Sequence, residues 1–233
     1  MQTLENAAKI AVRDCMAVKK QENVLIITDT PKRKIGQALF EAAQEFGAEA
    51  FLMEMTPREI NGQEPPPAIA ELMKLVPVVL CPTSKSLTHT DARREACKVG
   101  TRVGTLPGIT EDMMIRTMSA DYHRIAELTY KLSEILDAGK TARITTPLGT
   151  DITIPIHGIK AISSTGLITK PGTFGNLPSG ESYLMPVEGE SEGVFIVDGS
   201  MAGIGKIEDQ PITIRVEKGL VVDISGGKEA TQL

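Results

Sequence analysis

Apolar residues recur at helical spacing through Leu4, Ala7, Ala8, Ala11, Cys15 and Val18, which predicts an amphipathic opening helix. Val24-Leu25-Ile26-Ile27 breaks that period with a continuous apolar run, as expected for a strand buried on both faces. Asp29-Thr30-Pro31 then offers cap residues with proline at a helix start, and Ile35, Leu39, Ala42, Ala43 and Phe46 line one face as far as Gly47. The alternation repeats. Ala50–Met53, Val78–Cys81 and Thr101–Thr105 read as strands, with helices after Pro65-Pro66-Pro67 and over Asp91–Val99. Met114, Met118, Tyr122, Ile125, Leu128, Leu132 and Ile135 keep one stripe apolar and predict a single long helix. This is the pattern of an α/β domain, an open and mostly parallel sheet with flanking helices.

The pattern changes near residue 140. Ala142–Thr146 and Asp151–Ile156 flank Pro147-Leu148-Gly149, a hairpin-like turn. Gly193–Asp198 is β-rich. Ile212–Val216 alternates inward and outward positions, and Lys218-Gly219 turns the chain into Leu220–Ile224. Residues 157–192 are rich in Gly and Pro. The expected organisation is an α/β domain over 1–140 and a smaller, mainly β domain over 141–233.

Composition narrows the classes. Of 233 residues, 41% are hydrophobic and 24% charged, close to the average of globular proteins. A net charge of -5 and only 3% aromatic residues argue against a nucleic-acid partner. No apolar run approaches ~18 residues, so no membrane span is expected. Three cysteines without a CxxC pair, and no basic-then-apolar leader over Met1–Val18, fit reduced thiols in the cytoplasm.

There is no HExxH, and Gly199–Lys206 departs from a phosphate loop in spacing and in Ile207, where Ser or Thr is required. No cofactor-binding fingerprint is present. Pro82–Thr90 follows a strand and precedes a helix, the edge where ligands bind open α/β sheets. It reads either as a polar pocket wall, with His89 as ligand-binding group or general base, or as hydroxyls capping the next helix, the commoner arrangement. Arg102 could hold a carboxylate or serve a salt bridge. Leu106–Thr110 is a tight turn at Gly108 that could floor the same pocket. Phe174–Glu181 is the densest signal. Gly175, Asn176, Pro178 and Gly180 shape a backbone that presents one carboxylate, Glu181, suited to metal binding or proton transfer, or simply an exposed turn. The histidines His89, His123 and His157 show no metal-ligand spacing.

Residues 86–113 (SLTHTDARREACKVGTRVGTLPGITEDM), 174–186 (FGNLPSGESYLMP), 194–205 (VFIVDGSMAGIG) and 215–227 (RVEKGLVVDISGG) together resemble the thermophilic-type metalloaminopeptidases, the leucyl aminopeptidase or aminopeptidase T family. That superfamily includes ring-cleaving non-haem iron dioxygenases related to dihydroxypyridine dioxygenase. The resemblance covers most of residues 80–227. It implies a hydrolase that removes N-terminal residues from peptides at a two-metal centre of zinc, cobalt or a similar divalent ion, with Glu181 as a metal ligand. The family's further ligands lie downstream of this motif, and the sequence ends at Leu233 before any of them. The chain therefore resembles the first two-thirds of a family member, with an incomplete second domain, and is expected to be inactive by itself. His89 and Arg102 are candidate pocket groups. The alternatives are an iron dioxygenase acting on a hydroxylated ring, and a non-catalytic assembly or binding module of the same fold. A peptide or small-molecule substrate and a homo-oligomer are the expected partners.

Overall fold

The structure, a computed structural model, describes residues 3–233. The helices are α1 (Leu4–Ile10), α2 (Arg33–Glu45), α3 (Pro67–Met73), α4 (Asp91–Lys98), α5 (Glu111–Thr117) and α6 (Tyr122–Ala138). The first four strands are β1 (Asn23–Asp29), β2 (Glu49–Met55), β3 (Val78–Cys81) and β4 (Arg102–Thr105). Then come β5 (Thr141–Thr145), β6 (Asp151–Pro155), β7 (Ile162–Ser164), β8 (Phe174–Asn176) and β9 (Glu181–Tyr183). The last are β10 (Glu192–Val197), β11 (Ser200–Met201), β12 (Gly205–Lys206), β13 (Ile212–Glu217) and β14 (Leu220–Ser225). They form two compact units. One takes the described residues up to Tyr130 together with Ser163–Glu181, the other Lys131–Ile162 and Ser182–Leu233.

The first unit is an α/β layer around a five-stranded sheet in the order β2-β1-β3-β4-β8. Every pairing in it is parallel. The apolar run in β1 divides between two cores. Val24 and Ile26 join Leu39, Leu80, Leu106 and Met114 on one face, while Leu25 and Ile27 join Ile69, Met73, Val79 and Val103 on the other. Both faces are covered, so the strand needs apolar residues at every position. Gly104 sits where β4 is most crowded. A Cβ there would lie 2.8 Å from Met16 Sδ and 3.0 Å from Leu80 Cδ2.

The opening helix continues beyond Ile10 as a π-helical turn over Ala11–Cys15, which keeps Ala11, Val12 and Cys15 buried. The long helix expected from Met114 to Ile135 is two helices, α5 and α6, broken between Thr117 and Tyr122. Its stripe is also rotated. Tyr122, Ala126, Thr129 and Ser133 are the buried positions, while Leu128, Leu132 and Ile135 are exposed. At 100° per residue Ala126, Thr129 and Ser133 share the face of Tyr122, while Leu128, Leu132 and Ile135 fall on the far side of the same helix.

The second unit is built on a five-stranded antiparallel sheet, β14-β13-β10-β6-β5. Lys218 and Gly219 both take positive φ, 50° and 72°, the geometry of a two-residue hairpin turn. Ile212, Ile214 and Val216 point into its core at period two. The Gly199–Lys206 segment is a small hairpin, β11 with β12, and no helix follows it. Among the described residues no helix is long and apolar enough to cross a membrane.

At the amino end of β4, Arg102 Nη2 donates to Glu22 Oε2 at 2.8 Å, with side chains only 6% and 13% exposed. Lys19 N also donates to that carboxylate at 3.0 Å. Arg102 Nε is buried without a partner. Removing one member of such a pair leaves a buried charge uncompensated. Glu22→Ala should therefore lower stability by about 3 kcal/mol, read by chemical denaturation, with Glu22→Gln costing less.

Burial pushes the Cys81 thiol up to about 12 and raises Cys15 further still, in Cys15 with a smaller contribution from Asp14. Cys97, only half buried, is raised less because Arg93 opposes the effect of burial. Only the thiolate attacks, and a thiol near 12 is ionised in about one molecule in ten thousand at pH 8. A disulfide reagent at pH 8 should therefore titrate Cys97 first. Cys15 and Cys81 should react only after denaturant is added, and prompt reaction of all three would contradict the buried placement.

Candidate functional site

β1 lies between β2 and β3, so the chain leaves β1 toward one side of the sheet and continues on the other. Ligands bind beyond the carboxyl ends of strands at such a switch point. Here those ends carry Asp29, the Pro82–Thr90 loop, Thr105 and Asn176.

Asp29 ends β1 fully buried. Its Oδ2 accepts from Ser84 N at 2.7 Å and its Oδ1 from Ser84 Oγ at 3.0 Å. Thr28 Oγ1 donates to Pro82 O at 3.1 Å. These bonds tie the loop after β3 to the end of β1. Gly108, with φ +65°, donates its N–H to Thr83 O at 2.8 Å and accepts from Lys32 Nζ at 3.3 Å. Nearby, the Arg33 guanidinium holds the Glu54 carboxyl below the usual range, with help from the Thr30 hydroxyl.

The hydroxyls of the loop divide their work. Thr90 caps α4, accepting from Arg93 N at 3.3 Å. Thr88 instead belongs to a network across three segments. Ser86 Oγ donates to Thr88 Oγ1 at 2.9 Å, Thr88 Oγ1 lies 2.8 Å from Thr105 Oγ1, and both threonines reach Asn176 Oδ1, at 3.0 and 2.8 Å. Arg93 Nε donates to Thr88 O at 2.7 Å, and its guanidinium carbon stands 3.7 Å from the centroid of the Phe174 ring. Capping and pocket wall were alternatives on the sequence; Thr90 takes the capping geometry, while Thr88 joins the hydroxyl network with Thr105 and Asn176.

His89 lies in this loop, exposed, and its imidazole makes no hydrogen bond among the described residues. Arg102 lies at the opposite, amino edge of the sheet in its pair with Glu22 and does not join the cluster. Glu181 opens β9, exposed, beside a depression of about 440 Å³ that Thr117, Ile125, Pro178, Ser179 and Gly180 also line. The Leu177–Pro178 peptide is cis, and Gly180 has φ +138°. A Cβ on Gly180 would approach Ile125 Cγ2 to 2.8 Å, so this turn admits no larger residue without rearrangement. No group of three or more His, Cys, Asp or Glu is placed to hold a metal among the described residues. Glu181 thus stands without co-ligands there, and these residues alone do not fit a metal centre.

The sequence reading did not single out Asp29, Thr105 or Asn176 as site residues. From its neighbours in sequence Asp29 reads as a helix cap and Asn176 as a turn former. Only their shared sheet edge brings them into one cluster. Gly189-Glu190-Ser191-Glu192-Gly193 also has the Gly-x-Ser-x-Gly spacing of a nucleophile elbow, but it leads into strand β10 instead of a helix, so the strand–turn–helix context is missing.

A family profile described as NicX, 2,5-dihydroxypyridine 5,6-dioxygenase, matches residues 6–233. A 2,5-dihydroxypyridine 5,6-dioxygenase from Pseudomonas putida KT2440 is 25% identical over 154 residues, 63% of this chain. The alignment spans 42% of that curated relative, less than half its length. The solved structure of 2,5-dihydroxypyridine dioxygenase from the same organism aligns with a TM-score of 0.78 at 19% identity, covering 98% of this chain and 69% of that one. Wild-type AmpT from Thermus thermophilus aligns with a TM-score of 0.67 at 17% identity, covering 98% of this chain and 72% of that one. At such identities the two structures establish a shared fold, and fold alone does not decide chemistry.

The family match corrects the leading expectation from sequence. The superfamily stands, but the metalloaminopeptidase assignment, with its hydrolase and protease labels, is overturned in favour of the dioxygenase branch. Zinc and cobalt lose their support with it. The NLPSGE stretch misled because a shaped loop with one carboxylate is compatible with either branch. The chain belongs to the 2,5-dihydroxypyridine 5,6-dioxygenase (NicX) family.

Proposed function

We propose that this chain takes part in oxygen-dependent opening of a small hydroxylated aromatic ring of the pyridine type. The observation that carries this reading is the family match over residues 6–233. The relative's activity belongs to a protein of which the alignment spans 42%, and its transfer to this chain is our inference. A dioxygenase places both atoms of O₂ in its substrate. The oxidised ring supplies the electrons, and no separate reductant is consumed. Iron is the cofactor this chemistry implies, and it would activate oxygen and substrate together. The described residues assemble no metal cluster by themselves.

What these residues offer is a polar edge for a small ring. Ser84, Ser86 and Asn176 provide hydrogen-bonding groups nearer the surface, with the buried Thr88 and Thr105 behind Asn176, and the half-exposed Phe174 provides apolar surface on the same strand face as Asn176. Such a mixture suits a flat ligand with a few oxygen substituents. The exposed His89 is our candidate for moving a proton to or from a ring hydroxyl. Glu181 remains a candidate metal ligand only if further ligands come from outside the described residues.

Oxygen consumption tests the reading. With Fe(II), 2,5-dihydroxypyridine and the metal ligands that the described residues lack supplied from outside them, the protein should consume one O₂ per ring lost and release no hydrogen peroxide. It should leave an amino-acid p-nitroanilide uncleaved. His89→Ala should lower the rate by about a hundredfold, typical for loss of a proton-transferring group, with an unchanged melting temperature because the side chain is exposed. Absence of ring-dependent oxygen uptake in the wild-type protein would reject the proposed function.

A further inference from the structure

The hydroxyl network at the carboxyl edge has a direction. Ser86 Oγ donates to Thr88 Oγ1. Each hydroxyl has one proton to give. The Ser86 proton is committed to Thr88, so Thr88 gives its own to Asn176 Oδ1 at 3.0 Å or to Thr105 Oγ1 at 2.8 Å. Thr105 has two acceptors, Asn176 Oδ1 at 2.8 Å and the more distant Gly175 O at 3.4 Å. With the amide oxygen turned inward, every hydroxyl proton finds an acceptor within 3.0 Å. Thr88 and Thr105 are 5% and 1% exposed, so water does not compete for those bonds.

The other end of the amide is unspent. Asn176 is exposed, and its Nδ2 has no acceptor among the described residues. The two threonines thus hold a carboxamide by its oxygen and leave two N–H donors at the end of β8, on the sheet edge where ligands bind. Holding a donor in place before the ligand arrives removes ordering cost from binding. Phe174, two residues back on the same strand face, adds an apolar surface nearby, and Arg93 over its ring restrains it.

We propose that the Asn176 carboxamide is a substrate-specificity group that donates a hydrogen bond to an oxygen substituent of the ring ligand, with Thr88 and Thr105 as its positioning residues. This rests on the ring-oxidation reading above. It adds which atom of the chain reads the substituent and what orients it. A ligand lacking the recognised oxygen leaves the N–H donors unsatisfied and binds less well.

Asn176→Asp is the informative variant. A carboxylate still accepts from both threonines, so the network survives. Its outer atom becomes an acceptor that repels a ligand oxygen. Binding is read by equilibrium dialysis under argon with Fe(II) present, using 2,5-dihydroxypyridine, 2-hydroxypyridine and 3-hydroxypyridine as probes. Asn176→Asp should weaken 2,5-dihydroxypyridine binding at least about tenfold, with the melting temperature retained. The monohydroxylated ring that lacks the recognised oxygen should bind wild type and variant alike. Thr105→Val should weaken binding by roughly threefold to tenfold, and Thr105→Ser, which keeps the hydroxyl, should restore it. That serine rescue separates orientation of the amide from simple packing. Equal binding of 2,5-dihydroxypyridine by wild type and Asn176→Asp overturns the proposal while leaving the ring-oxidation reading intact. If the wild type neither binds a hydroxypyridine nor consumes oxygen with one, the broader reading fails first and takes this proposal with it.

Discussion

The buried carboxylate of Asp29 organises the functional edge of the first unit. A parallel sheet ends with strand termini whose polar groups need partners, and the loops leaving those termini must be held close to one another. Asp29 meets both needs by accepting the backbone N–H and the hydroxyl of Ser84 from the loop after the neighbouring strand. An acceptor with two lone-pair-bearing oxygens suits that position, since a buried carboxylate is tolerated only when hydrogen-bonded. With Ser84 tied down, the chain through Ser86 and Thr88 follows a fixed course toward α4, and Thr90 can cap that helix. The placement of Thr88 beside Thr105 and Asn176 descends from the same tie.

The network that results is layered by burial. Asp29, Thr88 and Thr105 are buried, and they orient groups nearer the surface. His89 and Asn176 occupy the outer layer. This is an arrangement in which rigid inner bonds present a few outer donors and acceptors, and it depends on side chains from strands far apart in sequence. Arg102 belongs to a separate economy at the amino edge, where it balances Glu22 and contributes to holding the sheet together.

The move from peptide hydrolysis to ring oxidation shows what a local motif can carry. Phe174–Glu181 runs from strand β8 through a turn with a cis peptide and a positive-φ glycine, and it ends in one exposed carboxylate at the start of β9. A carboxylate can serve many metals and several reactions, so the motif indicates a superfamily and leaves the chemistry open. The two solved relatives that share this fold carry different names, and the profile match across nearly the whole chain is what separates the branches.

Much of the architecture was legible locally. Continuous apolar runs marked β1 and β3 because both faces of those strands are covered, and period-two alternation marked β13 because one face is. Lys218-Gly219 marked its hairpin because two consecutive positive φ values demand such residues. His89 and the hydroxyl-rich loop were visible as candidates from their position between strand and helix. Tertiary structure alone decided the rest. β8 is three residues long, too short for any period, and its parallel pairing with β4 joins Phe174 to Val103 across the intervening chain. Packing chose the face of α6 that carries Tyr122, Ala126, Thr129 and Ser133, and left Leu128, Leu132 and Ile135 exposed. Arg102 and Glu22 found each other across the sheet's amino edge, and Asn176 found Thr88 and Thr105 across its carboxyl edge. Hydrophobic period and turn chemistry are properties of neighbours in sequence, so the chain declares them by itself. Hydrogen-bond partners and the residues of a site are properties of neighbours in space, and only the packed sheet brings those together.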